Sequence, residues 1–422
     1  MAQSVRTQAL LIGGRRMHDN DRVSVGDRVG DSSARSEETD GCGRIAVYTD
    51  IYLERSMTFV YHEIMGLRQY TPVVMAATAK NLDMFAGYPV FVPSPVMARR
   101  TFVDRGHRRL LRAPAAGQLA YYIRIVREND VKLIHAHFGP GGLRMVHVKR
   151  RCGIPLIVNF HGYDAGQFPR RLRNRLRVRW LFRAADHFLT PSQHMKRRLI
   201  ELGCPGHKVT VHYIGVPVEA IRYADRRSPP RGTLVRLLQV SNLVEKKGTL
   251  YLLEAFSIVC RRHSDVQLRL VGDGPMRPLI EERIRRLGLS ESVTLAGPRP
   301  HYDIPDELAA AHIFVHPSVT GSDGDMEATP IAIKEAMASG LPVVSTYHGG
   351  IPELVENGRS GFLAPERDAE SLATHLEHLL QHPEVWAHLG RRGRSIVEKR
   401  HSLVKQVNEL EVLYSQVMSG QL

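Results

Sequence analysis

From Arg44 onward the apolar residues gather into short runs rich in Val, Ile and Leu, separated by more polar stretches. RIAVYTD (44–50), VKLIHAHF (131–138), PLIVNFHG (155–162), HFLTPS (187–192) and VTVHYIG (209–215) form one series. VRLLQVSN (235–242), VQLRLVGDG (266–274), VTLAG (293–297), IFVHPS (313–318) and LPVVST (341–346) form a second. Unbroken apolar runs of this length suit strands covered on both faces. TFVYHEIMGL (58–67) reads as the first helix, and strands alternate with helices from there. Such alternation predicts parallel β-α-β units, hence an α/β chain with two doubly wound domains. Residues 217–232 break the rhythm with Pro, Arg and Gly and read as a linker, while residues 1–43 are polar and aperiodic. The expected organisation is a flexible tail (1–43), a first domain (44–216), the linker (217–232), a second domain (233–400) and a last helical segment (401–422). Ligands in open α/β sheets bind beyond the carboxyl ends of the strands, so the cleft between the domains is the expected site.

Length agrees with two cores: 422 residues exceed one ordinary domain and divide into two of roughly 150–200 residues. An apolar content of 43% with 24% charged residues is that of a soluble globular protein. No apolar run reaches the roughly 18 residues of a membrane span. ALLIGG (9–14) is short and runs into Arg15 and Arg16, so no signal peptide is expected and a cytoplasmic location is the default. The tail could equally reflect a start codon placed too early. Cys42, Cys152, Cys204 and Cys260 lack any metal-ligand spacing and read as free thiols.

The net charge of +15 is concentrated in residues 99–112 and in PRRLRNRLRVRWLFR (169–183). No aromatic-interleaved or groove-reading motif accompanies it, which argues against nucleic acid. An anionic membrane surface, where each Lys or Arg adds about 1 kcal/mol, is the better functional reading; a solvated basic helix face is the alternative.

Chemistry points most strongly to DMEATPIAIKEAMASGLPVVSTYHGGIPELV (325–355). Thr329 is suited to cap a helix and Pro330 to its first turn, with Gly340 and Pro342 marking its end. Glu327 then lies in a loop at the helix mouth and Glu335 more than a turn inside. The amides of Ala328, Thr329 and Ile331 are free to face an anion. A phosphate-holding helix start flanked by two hydroxyl-accepting carboxylates describes a nucleotide-sugar site. Two solvated glutamates on an amphipathic helix are the plain alternative.

The same segment resembles the signature of glycosyltransferase family 4: Glu327 and Glu335 as E-x7-E, then EAMASGLPVV (335–344) and GGIPELV (349–355). The resemblance implies a GT-B fold, with two Rossmann-like domains facing a cleft, and a last helix that crosses back onto the first domain. It implies that Glu335 accepts hydrogen bonds from ribose and that Glu327 lies near the donor hexose and phosphate. VSNLVEKKG (240–248) resembles the family's phosphate loop, with Lys247 matching the lysine on the diphosphate. Asn242 stands where the family has arginine and Ser241 where it has glycine, leaving Lys246 and Arg299 as sources of a second cation. NFHGYD (159–164) resembles the T-F-H-G-x-D turn: His161 matches the histidine at the reaction centre and Asp164 an acidic residue of the acceptor side. HAHFGPGG (135–142) looks like the turn of exopolysaccharide-building members, with Gly139 and Gly141 permitting close approach of substrate or simply making a tight turn. In ERSMTFV (54–60) Met57 replaces the usual glutamate. GDGP (272–275) and LAGP (295–298), through Gly272, Asp273 and Gly297, border the base in similar enzymes. Asp323-Gly324-Asp325 has the form of a metal-binding D-x-D, but it sits inside a signature whose lysine and helix start already supply positive charge, so no metal is expected.

The expectation is a retaining, metal-independent hexosyltransferase acting from a UDP- or GDP-linked donor on a saccharide or lipid-linked saccharide, in exopolysaccharide or other cell-surface glycan synthesis. It would be cytoplasmic or peripheral on the inner face of the membrane. A nucleotide-sugar epimerase or hydrolase on the same fold, and a basic nucleic-acid-binding protein, are the alternatives.

Overall fold

The computed structural model describes residues 43–54, 57–82, 87–98, 112–227 and 232–422. The expectations for the tail, for Cys42, for the basic stretch 99–111 and for part of the 54–60 loop and of the linker lie outside them.

Two parallel sheets are built from thirteen strands. The first holds β1 (Arg44–Tyr52), β2 (Thr71–Ala79), β3 (Val90–Phe91), β4 (Val131–His137), β5 (Leu156–Asn159), β6 (His187–Thr190) and β7 (Val209–Val211), in the order β3-β2-β1-β4-β5-β6-β7. The second holds β8 (Val235–Val240), β9 (Val266–Val271), β10 (Val293–Gly297), β11 (Ile313–His316), β12 (Val343–Thr346) and β13 (Gly361–Ala364), in the order β10-β9-β8-β11-β12-β13. Apolar clusters cover both faces of each sheet, which is why these strands read as continuous apolar runs. The order reverses beside β1 and β4 in one sheet and beside β8 and β11 in the other. Loops diverge at those points and open a crevice for ligand.

β2, β3 and β13 were not legible. TPVVMAATA of β2 ends in small residues that are neutral between helix and strand, and GFLA of β13 is four residues opened by a glycine.

The chain crosses between the domains twice, side by side. Val216 donates its N–H to the His401 carbonyl, and Leu403 donates to the Val216 carbonyl. Beyond that bridge the Leu403–Met418 helix lies on the first domain. Glu411 accepts from the backbone N–H groups of Arg68 (2.7 Å) and Gln69 (2.6 Å). Val407, Leu410, Tyr414 and Val417 join the apolar cluster beneath β1. No helix among the described residues is long and apolar enough to cross a membrane.

Candidate functional site

Carboxylates and lysines converge at the end of β8 and β11. The loop after β8 turns through Lys246 and Lys247 to Gly248, whose φ of +66° suits glycine. A side chain there would also place its Cβ 1.8 Å from the Pro317 carbonyl oxygen. Lys247 Nζ stands 3.0 Å from Glu327 Oε1 and Lys246 Nζ 3.2 Å from the same atom. Lys246 also reaches Asp325 at 2.9 Å. Burial alone would raise the Glu327 pKa; the adjacent Lys247 and Lys246 outweigh it and hold the carboxyl well below its ordinary value. Burial opposes charge on Lys246 too, but Glu327 and Asp325 raise its pKa. The buried His316 imidazole beside them is pushed down to about 3, by burial and then by Lys247, and stays neutral.

The signature helix runs Ile331–Ala338. Thr329 is not its cap. Pro330 occupies that position in extended conformation, and the Thr329 hydroxyl instead lies 3.0 Å from the buried Lys334 Nζ, which also donates to the Ile214 carbonyl. The Ala328 and Thr329 amides donate to no protein acceptor among the described residues. Glu327 is fixed through its backbone: its N–H donates to His348 Nε2 (2.9 Å), whose Nδ1 contacts Glu366 (2.7 Å). Glu366 in turn accepts from the Thr320 amide at 2.7 Å. Neither His348 nor Glu366 was singled out in the sequence: His348 stands beside the GGIPELV motif but outside it, and Glu366 lies in a loop with no motif around it. Glu335 is buried in the helix and accepts from His301.

Around this centre the rim loops interlock. Gly272 approaches the Ser241 carbonyl so closely that a Cβ would stand 1.9 Å from it. Gly272 N–H donates to the Gly297 carbonyl, and the Asp273 carbonyl accepts from Leu243; the Asp273 carboxylate caps Gly274. Asn242 is exposed. Of the two candidates for a second cation, Lys246 is in the cluster, whereas Arg299 turns away to Glu307 at 3.7 Å. The D-x-D carboxylates have protein partners: Asp325 binds Lys246, and Asp323 accepts from Gln167 and from the Asp325 amide.

The first domain faces this cluster with the turn after β5. His161 is 7% exposed, packed between Phe138 (4.4 Å between centroids) and Phe59 (5.0 Å), with its Nε2 unbonded. Burial lowers its pKa, so the ring is neutral. Asp164 ties the turn together, accepting from His161 N–H at 2.7 Å and from Gly139 N–H at 2.8 Å. Burial pushes its carboxyl up to about 6. Gly139 and Gly141 open the Gly139–Cys152 helix and are buried. A Cβ on Gly139 would meet the Phe160 ring at 2.9 Å, and one on Gly141 the Tyr48 ring at 3.4 Å. Their smallness serves packing of helix on sheet, in keeping with the tight-turn reading of this segment. The domains touch where Gly162 meets the Met326 carbonyl and where Glu353 accepts from the Gln193 and His194 amides at 2.8 Å.

Beneath His161, Glu63 lies 3.3 Å from His137 Nε2 and 3.6 Å from His135 Nδ1, an arrangement of metal-ligating side chains. Tyr414 from the last helix holds His135 Nδ1 at 2.8 Å.

Residues 73–220 match the pattern of "Glycosyltransferase Family 4", and residues 235–382 that of "Glycosyl transferases group 1". WcaL of Escherichia coli strain K12, named as a colanic acid biosynthesis glycosyltransferase, is 35% identical over 72% of this chain and 73% of its own. The chain belongs to glycosyltransferase family 4. A second relative, the amylovoran biosynthesis glycosyltransferase AmsK of Erwinia amylovora, is 36% identical over 60% of this chain and 61% of its own. Among solved structures, HepE of Anabaena in complex with UDP and glucose superposes with a TM-score of 0.72 at 21% identity, covering 88% of this chain and 99% of HepE. That likeness makes the fold GT-B, as the motifs led one to expect.

Proposed function

We propose that this family 4 glycosyltransferase moves a hexose from a UDP-linked donor, with GDP-linked sugars as the second donor class, to a saccharide of a growing cell-surface polysaccharide. The observation that carries the reading is the pair Lys246 and Lys247 gathered with Glu327 at the mouth of the signature helix. When the bond from the hexose C1 to the diphosphate breaks, its electron pair leaves on a diphosphate oxygen. The two lysines and the unpartnered Ala328 and Thr329 amides supply positive potential at that point. Glu335 accepts from the ribose hydroxyls, and His161 lies against the hexose from the opposite domain. The acceptor hydroxyl oxygen bonds to C1, and its proton passes to the departing diphosphate oxygen. Retention of configuration and independence of a catalytic metal follow the family reading. The second is supported by Lys246 and the helix mouth standing where a cation would act.

The names of WcaL and AmsK support an exopolysaccharide acceptor, and the HepE complex supports UDP. Attachment to an anionic membrane surface on the cytoplasmic side is supported by the Leu172–Ala184 helix, where Leu172 and Leu176 are exposed among arginines. Thermal-shift measurements against UDP- and GDP-sugars test the donor: a UDP-hexose raises the unfolding temperature, and a protein indifferent to both classes refutes the reading. Turnover with saccharide, followed by NMR of the product anomer, then tests transfer and retention.

A further inference from the structure

Glu335 is held by His301, and His301 is packed in turn against the first domain. Its Oε1 accepts from His301 Nε2 at 3.0 Å. His301 opens the turn after β10, on the second domain, and its side chain is 43% exposed, whereas that of Glu335 is 11% exposed. The His62 ring, from the Thr58–Gly66 helix of the first domain, packs on His301 with centroids 5.9 Å apart and planes at 50°. Tyr61 backs His62 at 5.6 Å. Glu335, His301 and His62 thus form a continuous line of side chains across the cleft.

A carboxylate offers about four acceptor sites on two oxygens. His301 occupies one of them, which leaves Oε2 and the second lone pair of Oε1 for a diol. The last torsion of a glutamate is broad and sets the carboxylate plane poorly by itself; a fixed donor on one oxygen sets it. We propose that His301 is a positioning residue for the ribose anchor Glu335, and that with His62 it clasps the two domains over a bound nucleoside diphosphate. The proposal rests on the reading of Glu335 as a ribose contact.

Electrostatics agree with this geometry. The hydrogen bond and the charge of Glu335 raise the His301 pKa above its ordinary value. Burial, and then His301 itself, lower that of His62. The charged form is thus favoured on His301, next to the carboxylate, over His62. The titratable groups facing His301 are Glu335 from the signature helix and His62 from the Thr58–Gly66 helix; Arg299 on its own loop is turned toward Glu307.

The test is calorimetric titration of the full chain with UDP and with 2′-deoxy-UDP, for the wild type, His301→Ala, His301→Gln and His62→Ala. Removal of a hydrogen bond to a charged group leads us to expect His301→Ala to weaken UDP about tenfold and to lose most of the preference for UDP over its deoxy analogue. His301→Gln, which keeps an N–H donor, restores that preference. Loss of one ring contact in His62→Ala weakens UDP about threefold. Wild-type affinity for UDP falls, relative to His301→Gln, as pH rises through the His301 range. If the wild type binds UDP and His301→Ala binds it equally well with the same preference for ribose, the proposal is overturned. If UDP does not bind but GDP does, the same arms are run with GDP and its 2′-deoxy form. A wild type that binds neither nucleotide overturns the donor reading, and this proposal with it.

Discussion

Lys247 and Glu327, eighty residues apart in sequence, meet at 3.0 Å at the mouth of the signature helix. The contact fixes the lysine before any donor arrives, so its charge needs no rearrangement when the diphosphate leaves. Removing such a preorganised charge costs about 10²–10³ in rate. Lys247→Ala is expected to lower kcat by about that factor with an unchanged circular dichroism spectrum. Lys246, shared between Glu327 and Asp325, gives a smaller loss. Unchanged turnover in Lys247→Ala would remove the phosphate role.

Gly162 supplies a way to separate binding from closure. An alanine there would put its Cβ 1.9 Å from the Met326 carbonyl oxygen, driving the His161 turn away from the Glu327 loop. The UDP contacts lie on the second domain except for the His62 clasp, so Gly162→Ala should weaken UDP by no more than about threefold while kcat falls more than about tenfold, as expected for a misplaced reacting group. A parallel loss of both would mean that the turn also holds the donor.

Glu63 sets a pH dependence. Burial would raise its pKa, but hydrogen bonding to His137 and the charges of His137, His135 and His212 outweigh burial and bring it to about 2. A carboxyl with a depressed folded pKa stabilises the fold above its ordinary value of 4.5 and loses that contribution as pH falls toward about 2. Glu63→Gln should lower the unfolding free energy and flatten the acid limb between those values, read by urea denaturation. An acid limb identical to that of the wild type would show that the histidines do not hold this charge.

Membrane attachment is testable on the Leu172–Ala184 helix. Leu172 and Leu176 are 72% and 57% exposed and stand one turn apart among arginines. The wild type should sediment with phosphatidylserine vesicles at low salt and be released by salt. Leu172→Asp with Leu176→Asp should stay in the supernatant with turnover on a soluble acceptor intact.

Prolonged treatment with EDTA should leave initial rates unchanged, and added Mg²⁺ should not raise them. Loss of activity restored by Mg²⁺ would return the Asp323 and Asp325 carboxylates to consideration.

The strands that form the floor of the cleft were visible in the sequence because they are buried on both faces and therefore unbroken in apolarity. The same logic fails for β2, where Ala76, Ala77 and Ala79 say little about backbone state. Glu327, Glu335 and Lys247 were visible because their neighbours carry a long ordered motif, and Lys246 came in as the neighbour of one of them. Thr329 was misread: Lys334, five residues on, has no charged partner at bonding distance among the described residues and draws the hydroxyl away from the helix end. His301, His62, His348 and Glu366 were not visible at all. Each acts through a tertiary contact, and nothing local distinguishes such a residue from a solvated one.

The bridge between Val216 and Ser402, with the helix that follows it, makes the order of the chain differ from the order of its domains. Glu411 is the acceptor for two amides of the first domain, and Tyr414 is the partner of a histidine inside it. The first domain therefore completes its packing only with the Leu403–Met418 helix in place. Any chimera that exchanges acceptor halves between relatives must transplant two separate pieces, residues 43–216 together with 403–418, or leave the new half without its own last helix.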